Sequence, residues 1–352
     1  MPVVRVRWPI PCGRQSERDP YERRGRAAWR RGGGSNRNGP RRNPGSSAEW
    51  GCTLGDLAAA VVAEVESVAA RRGLTPRHLV AEWVRTADPP VASARSLAHL
   101  APDHRVYVSA QNLMSVLSEQ LTGLRAMQPL VRVLRAADDR YAPRWPRWRV
   151  AVTKSFFTHW AMFDAATRPG GETVGACVLA MRAGAGLDAQ VRNTVARMQD
   201  SYMALYEQQG RHGDCVQLRN IATGLVIRAF DPVAYEGPPG EVWYARVLPP
   251  PLRGGDRHVV VTTPYVLTGV GVEEAERCIA GGAEVCAAAD AAGVVGAARG
   301  EAQSRPSAAR SFLKYGPTPM YWLRFVSRAF REARHNVVYL RGLPSIPKPP
   351  SG

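Results

Sequence analysis

Lysine is almost missing from this 352-residue chain: Lys154, Lys314 and Lys348 are the only three among 47 basic residues. That scarcity removes one chemistry at once, because no G-x-x-x-x-G-K-[ST] phosphate loop is present. Paired metal ligands are missing too. The six cysteines (Cys12, Cys52, Cys177, Cys215, Cys278, Cys286) form no C-x-x-C pair, and the seven histidines (His78, His99, His104, His159, His212, His258, His335) stand singly, so no zinc spacing and no H-E-x-x-H helix appears. Scattered cysteines and no secretory leader predict a reducing, cytoplasmic setting without disulfides. No apolar run reaches the roughly 18 residues that a bilayer span requires, and the nearest, 285–298, contains Asp290 and is mostly Ala and Gly. The reading is of a chain with no membrane insertion, no cofactor and no metal.

Acids are sparse where acid–base catalysis needs them. Asp138 and Asp139 adjoin in an expected loop, and Glu273, Glu274 and Glu276 fall in the first turn of an expected helix, where carboxylates complement the dipole. Ser311 and Lys314 match S-x-x-K, but the S-D-N and K-T-G elements that accompany it in penicillin-binding enzymes are absent. Gly269 and Gly271 begin like a dinucleotide loop without its third glycine. The best catalytic arrangement the sequence offers sets His258 beside Thr262 and Thr263 with Asp231 or Glu241 nearby. The chain therefore reads as more an interaction protein than an enzyme.

What the sequence does hold is arginine, and a net charge of +17. Arginine with abundant Ala and Gly also follows from GC-rich coding, so the charge has less functional weight than its size suggests. Its location is informative. Residues 1–48 carry twelve arginines against three acids, more than half of the whole excess. Residues 1–50, rich in Arg, Gly, Pro and Asn, cannot repay the entropy of folding and are expected to be disordered. Arg23, Arg24, Arg26, Trp29, Arg30 and Arg31 make that arm a candidate nucleic-acid contact. So does RYAPRWPRWRV, where Arg144, Trp145, Arg147, Trp148 and Arg149 combine charge with stacking surface; the same strip also reads as a connector whose tryptophans cover neighbouring helices.

Periodicity predicts an α+β chain: an N-terminal helical region, then a small antiparallel sheet or barrel, then a closing helix and strand. Residues 51–150 are expected to be helical, with Thr53 and Asp56 as a capping-box-like start, Gly73 as a stop, and Thr75-Pro76 opening a second helix. A third helix is expected over about 109–134. Residues 151–268 lead from helices, including a buried aromatic stretch around His159 and a helix over 188–208, into the β-module. Its expected strands are 215–221 and 225–230, turning at Thr223-Gly224, then 242–248 and 258–267, with Pro264 forcing an edge or bulge. Residues 269–310 read as an Ala/Gly-rich linker, weakly helical or flexible over 281–308, 311–345 as a helix and strand packing back on the β-module, and 346–352 as a tail. The connector PPPLRGGDR, with Pro250, Pro251, Arg253 and Arg257, is the candidate partner surface.

From about residue 153 to 344, the stretches FFTHWAMFDA, GETVGACVL, MALYEQQG, CVQLRNIATGLVIRAF, GEVWYARVLPPP, HVVVTTPYVLTG, YWLRFV and VVYLRGLP resemble an uncharacterised family of bacterial proteins. The β-module is similar to one in bacterial proteins that often carry a SEC-C metal-binding tail. No clustered Cys and His ends this chain, so the resemblance implies no metal, and it brings no catalytic residues. The expectation is a binding or adaptor protein acting through its β-module on a protein partner, with nucleic-acid binding through the arginine segments as the alternative and an enzyme of unrecognised type as a second.

Overall fold

The described residues of the computed structural model are 55–88, 90–93, 95–141, 155–167, 171–181, 186–252, 254–291, 305–334 and 336–347. Among them run ten helices and eight strands, a mixed α+β architecture. The arginine arm and the strip at 144–149 lie outside the described residues.

The first helices are α1 (Asp56–Arg71), α2 (Pro76–Arg85), α3 (Pro102–Thr122) and α4 (Gln128–Tyr141). Thr75 Oγ1 accepts the His78 N–H and Pro76 takes the first position of α2, as the sequence predicts. The expected cap at Thr53 lies outside the described residues. α1 starts instead at Gly55, with φ 101 and no side-chain cap of its own, and a distant carboxylate fills the role: Ala58 N–H donates to Glu172 Oε2 at 3.0 Å. The single helix expected over 109–134 is two. The chain breaks at 123–127, where Arg125 and Ala126 donate backbone N–H groups to Glu64 at 3.0 and 2.8 Å. Glu64 of α1 thus serves the start of α4, and Asp138 and Asp139 lie inside that helix rather than in a loop.

Next come α5 (Ser155–Phe163), α6 (Val174–Ala180) and α7 (Ala189–Asp200). The helix expected to reach residue 208 stops at Asp200, and β1 (Met203–His212) begins three residues later. Both faces of the first half of β1 are buried, so its apolar residues fit a helical period as well as a strand.

The remaining strands are β2 (Cys215–Asn220), β3 (Val226–Phe230), β4 (Val242–Leu248), β5 (His258–Val260), β6 (Tyr265–Thr268), β7 (Phe330–Arg334) and β8 (Val337–Arg341). Strands β1, β2, β3, β5 and β4 close into a five-stranded barrel, with β6, β8 and β7 as extra strands continuing from β4. β1 makes the closure possible by serving two partners. Residues Met203 to Glu207 pair with β4 and Tyr206 to His212 pair with β2, and a bulge between Gln208 and Gly210 supplies the bend. β3 and β5 pair in parallel, as do β6 and β8. The strand expected over 258–267 is split around Pro264, whose carbonyl accepts the Val338 N–H.

The linker expected over 269–310 is corrected by two helices, α8 (Val272–Ala291) and α9 (Arg305–Tyr315). Alanine is the best helix former and small residues let helices approach closely. A Cβ on Gly282 would come within 2.3 Å of the Phe312 ring, which is why that interface needs glycine. The last helix, α10 (Tyr321–Ala329), ends earlier than its apolar pattern suggests, and FREAR becomes β7. No described helix is long and apolar enough to cross a membrane.

Candidate binding face and buried polar centre

β4 is buried along its whole length, and alternation sends Tyr244 and Arg246 outward from the barrel, beneath the helices. Tyr244 stacks on Trp322 of α10 with ring centroids 4.7 Å apart. Arg246 is fully buried, and its guanidinium donates to Asp164 Oδ2 at 2.5 Å and to the His159 carbonyl at 3.4 Å. Lys314 of α9 donates to the Gln199 carbonyl at 2.7 Å, and its Nζ stands 4.0 Å from Asp164 Oδ1. Burial raises the Asp164 carboxyl above its ordinary value against the pull of Arg246 and Lys314, and burial lowers Lys314. This ion cluster joins α5, α9 and β4.

Beside it runs a chain of neutral hydrogen bonds. Tyr107 Oη lies 3.0 Å from the Val261 carbonyl and 3.2 Å from His159 Nε2, while His159 Nδ1 is 2.9 Å from the Ser155 carbonyl. A neutral His159 donates from Nδ1 to Ser155, which leaves Nε2 and the Val261 carbonyl competing for the one proton of Tyr107. Burial, reinforced by the positive charge of Arg246, pushes the His159 pKa down to about 4. His159 is therefore a neutral, hydrogen-bonded core residue, in line with its aromatic surroundings in the sequence.

Asp231, Glu241 and Thr262, which the sequence sets around His258, are engaged elsewhere. Asp231 accepts the N–H groups of Val233 and Tyr235 and one from Arg211. Glu241 accepts Tyr235 Oη–H and Trp243 Nε1–H. Thr262 Oγ1 accepts the Arg246 N–H. Ser311 and Lys314 sit on α9, where Lys314 serves the buried cluster.

The barrel's outer face is roofed over β4 and the start of β1, and emerges over β2 and β3. Cross-strand register puts Gln217 beside Arg228, Arg219 beside Val226, and Cys215 beside Phe230 on this face. Leu225 and Val226 are 60% and 44% exposed, the large apolar residues most open to solvent among those described. Most cations here are matched. Arg219 bridges Glu207 at 2.6 Å and Glu276 of α8 at 3.6 Å; Arg211 pairs with Asp231; Arg257 holds both Asp103 and Asp214, at 3.0 and 3.2 Å. Arg228 is exposed and has no carboxylate partner among the described residues; its guanidinium lies against the Cys215 thiol, whose pKa burial raises.

The connector residues divide. Pro250 is half-buried, Pro251 is buried, Arg257 is held by its two aspartates, and Arg253 lies outside the described residues. Sequence reasoning missed Arg246 and Asp164, although one charge set in each of two apolar runs, VWYARVL and SFFTHWAMFD, is a legible sign of a buried pair. Comparison with family models, curated proteins and solved structures finds no match to this chain.

Proposed function

We propose that this chain is a non-enzymatic binding or adaptor protein that engages a protein partner through its β-module, with the β2–β3 hairpin as the contact surface. On this reading the barrel corresponds to the module of the bacterial proteins it resembles. The observation that carries the proposal is the pairing of exposed Leu225 and Val226 with an uncompensated arginine, Arg228, at one end of an otherwise well-covered barrel. Apolar surface beside arginine is the composition of protein interface centres.

Five-stranded barrels elsewhere bind oligonucleotides on the face of strands 2 and 3, and fold alone does not choose between partners. Charge favours protein here. A polyanion gains affinity by replacing counterions at several free cations, whereas Arg211, Arg219 and Arg257 already have carboxylates.

The test is a photo-reactive residue placed at position 225 in cells, with the same residue at position 71 on the exposed side of α1 as control. A discrete protein adduct from 225, absent from 71 and lost when Val226 is changed to Asp, is the expected result. Equal labelling from both positions, or none from 225, rejects the hairpin as the contact surface.

A further inference from the structure

The two edges of β3 differ. Asn220 N–H donates to the Leu225 carbonyl and Asp231 N–H to the Asp214 carbonyl, so residues 225, 227, 229 and 231 turn their backbone groups toward β2. By alternation, Val226 and Arg228 turn theirs the other way, toward the seam between β3 and β5. There β5 pairs only with Ala229 and Phe230. In that register the His258 N–H takes up the Arg228 C=O, so the outward groups left without a backbone partner among the described residues are the Val226 N–H and C=O and the Arg228 N–H.

The connector leaves the seam open. In parallel register with Ala229 opposite His258, a longer β5 would lay residues 255–257 along 226–228. Gly254, at φ +74, and a Gly255 N–H bond to the Leu252 carbonyl turn the chain aside instead, and Arg257 is held away on Asp103 and Asp214. Gly254 and Gly255 thus break the strand that would have covered β3.

Building on the hairpin reading above, we propose that this seam receives an extended acidic–apolar segment of the partner protein as an added strand beside Val226 to Arg228. An unpaired strand edge is a template for such addition. The outward donors and acceptors require an extended backbone. Side chains of the added strand alternate between the outer face, beside Val226 and Arg228, and the inner face, beside half-buried Ile227. Arg228 selects a carboxylate next to it; Val226 and Ile227 select apolar neighbours.

The test uses the full chain and fluorescence anisotropy with a short, labelled, end-blocked peptide alternating valine and glutamate, its lysine counterpart, and a thymidine oligonucleotide. The glutamate peptide is expected to bind saturably, and the lysine peptide about tenfold more weakly, a preference of the size that a close charge contact gives. Val226→Pro deletes an outward N–H, which edge positions tolerate, and should abolish binding without altering the far-ultraviolet circular dichroism spectrum. If that variant misfolds, Arg228→Glu decides, because it should invert the preference toward the lysine peptide. Undiminished binding by a folded Val226→Pro, no inversion, tighter binding of the oligonucleotide, or no saturable peptide binding overturns the inference. A cross-link from position 225 without peptide binding sinks only the added strand; absence of both sinks the hairpin reading as well.

Discussion

Arg246 and Asp164 show what a single buried charge does to its surroundings. Removing Asp164 leaves Arg246 and Lys314 uncompensated in the interior, a change that costs about 3–5 kcal/mol, so the carboxylate locks β4 to the end of α5 whatever the net contribution of the pair. His159 lies against the same guanidinium, and its titration gives a pH dependence with a defined sign. The unfolded histidine protonates near the ordinary 6.5 and the folded one near 4. Between those values the unfolded chain binds more protons, so stability is full above about pH 6.5 and is lost as pH falls toward 4, by up to roughly 3 kcal/mol. His104 and His258 are lowered by burial and act in the same direction, whereas Asp164 is raised and acts in the opposite one. The difference between the wild type and His159→Gln isolates this one group. Urea titrations at pH 7 and pH 5 should show the wild type losing more stability than the variant, and identical losses would assign the pH dependence to the other groups.

Helices and strands show where sequence patterns suffice and where they do not. The β2–β3 hairpin and α2 were legible because Thr223-Gly224 and Thr75-Pro76 each name one local geometry, and β4 because VWYARVL is rich in β-branched and aromatic residues between Pro- and Gly-rich turns. β1 was not, since a strand buried on both faces loses its period of two. The start of α8 was legible in its acidic first turn, but its extent was not, because its Ala and Gly look flexible in isolation; their smallness becomes informative only when Phe312 packs on Gly282. Gly175 is confined in a comparable way, with Gln199 Oε1 and the Phe163 ring within 2.5 and 2.8 Å of where a Cβ would lie. Gly282→Ala adds a good helix former, worth up to about 1 kcal/mol by propensity, against overpacking that typically costs about 1–3 kcal/mol. Packing should win. A lower melting temperature for Gly282→Ala is expected, restored in part by Phe312→Leu in the same chain; a higher one would show that the two helices separate easily.

The complete assembly depends on strands far apart in sequence. β8 covers the edge of β6, and Val337, Val338 and Leu340 are buried there. Each such side chain contributes on the order of 1.5–3 kcal/mol when fully buried, a total comparable with the whole stability of about 5–15 kcal/mol of a typical domain. A chain ending after Ala329 should therefore lose its cooperative thermal transition by circular dichroism; a sharp transition at an unchanged temperature would show that the barrel stands without its extra strands. At this scale the sequence supplied the class and the order of its regions, while barrel closure stayed hidden because it depends on β1 serving two partners at once.

The carboxylate of Glu172 that caps α1 lies 114 residues downstream of the N–H it receives. A ribosome releases α1 long before it makes that carboxylate, so the first helix must wait, frayed at its start, for α6 to be synthesised. Glu64 of α1 gives the same service to α4, and the helical layer becomes a set of mutual dependencies that can mature together once about half of the chain has been made.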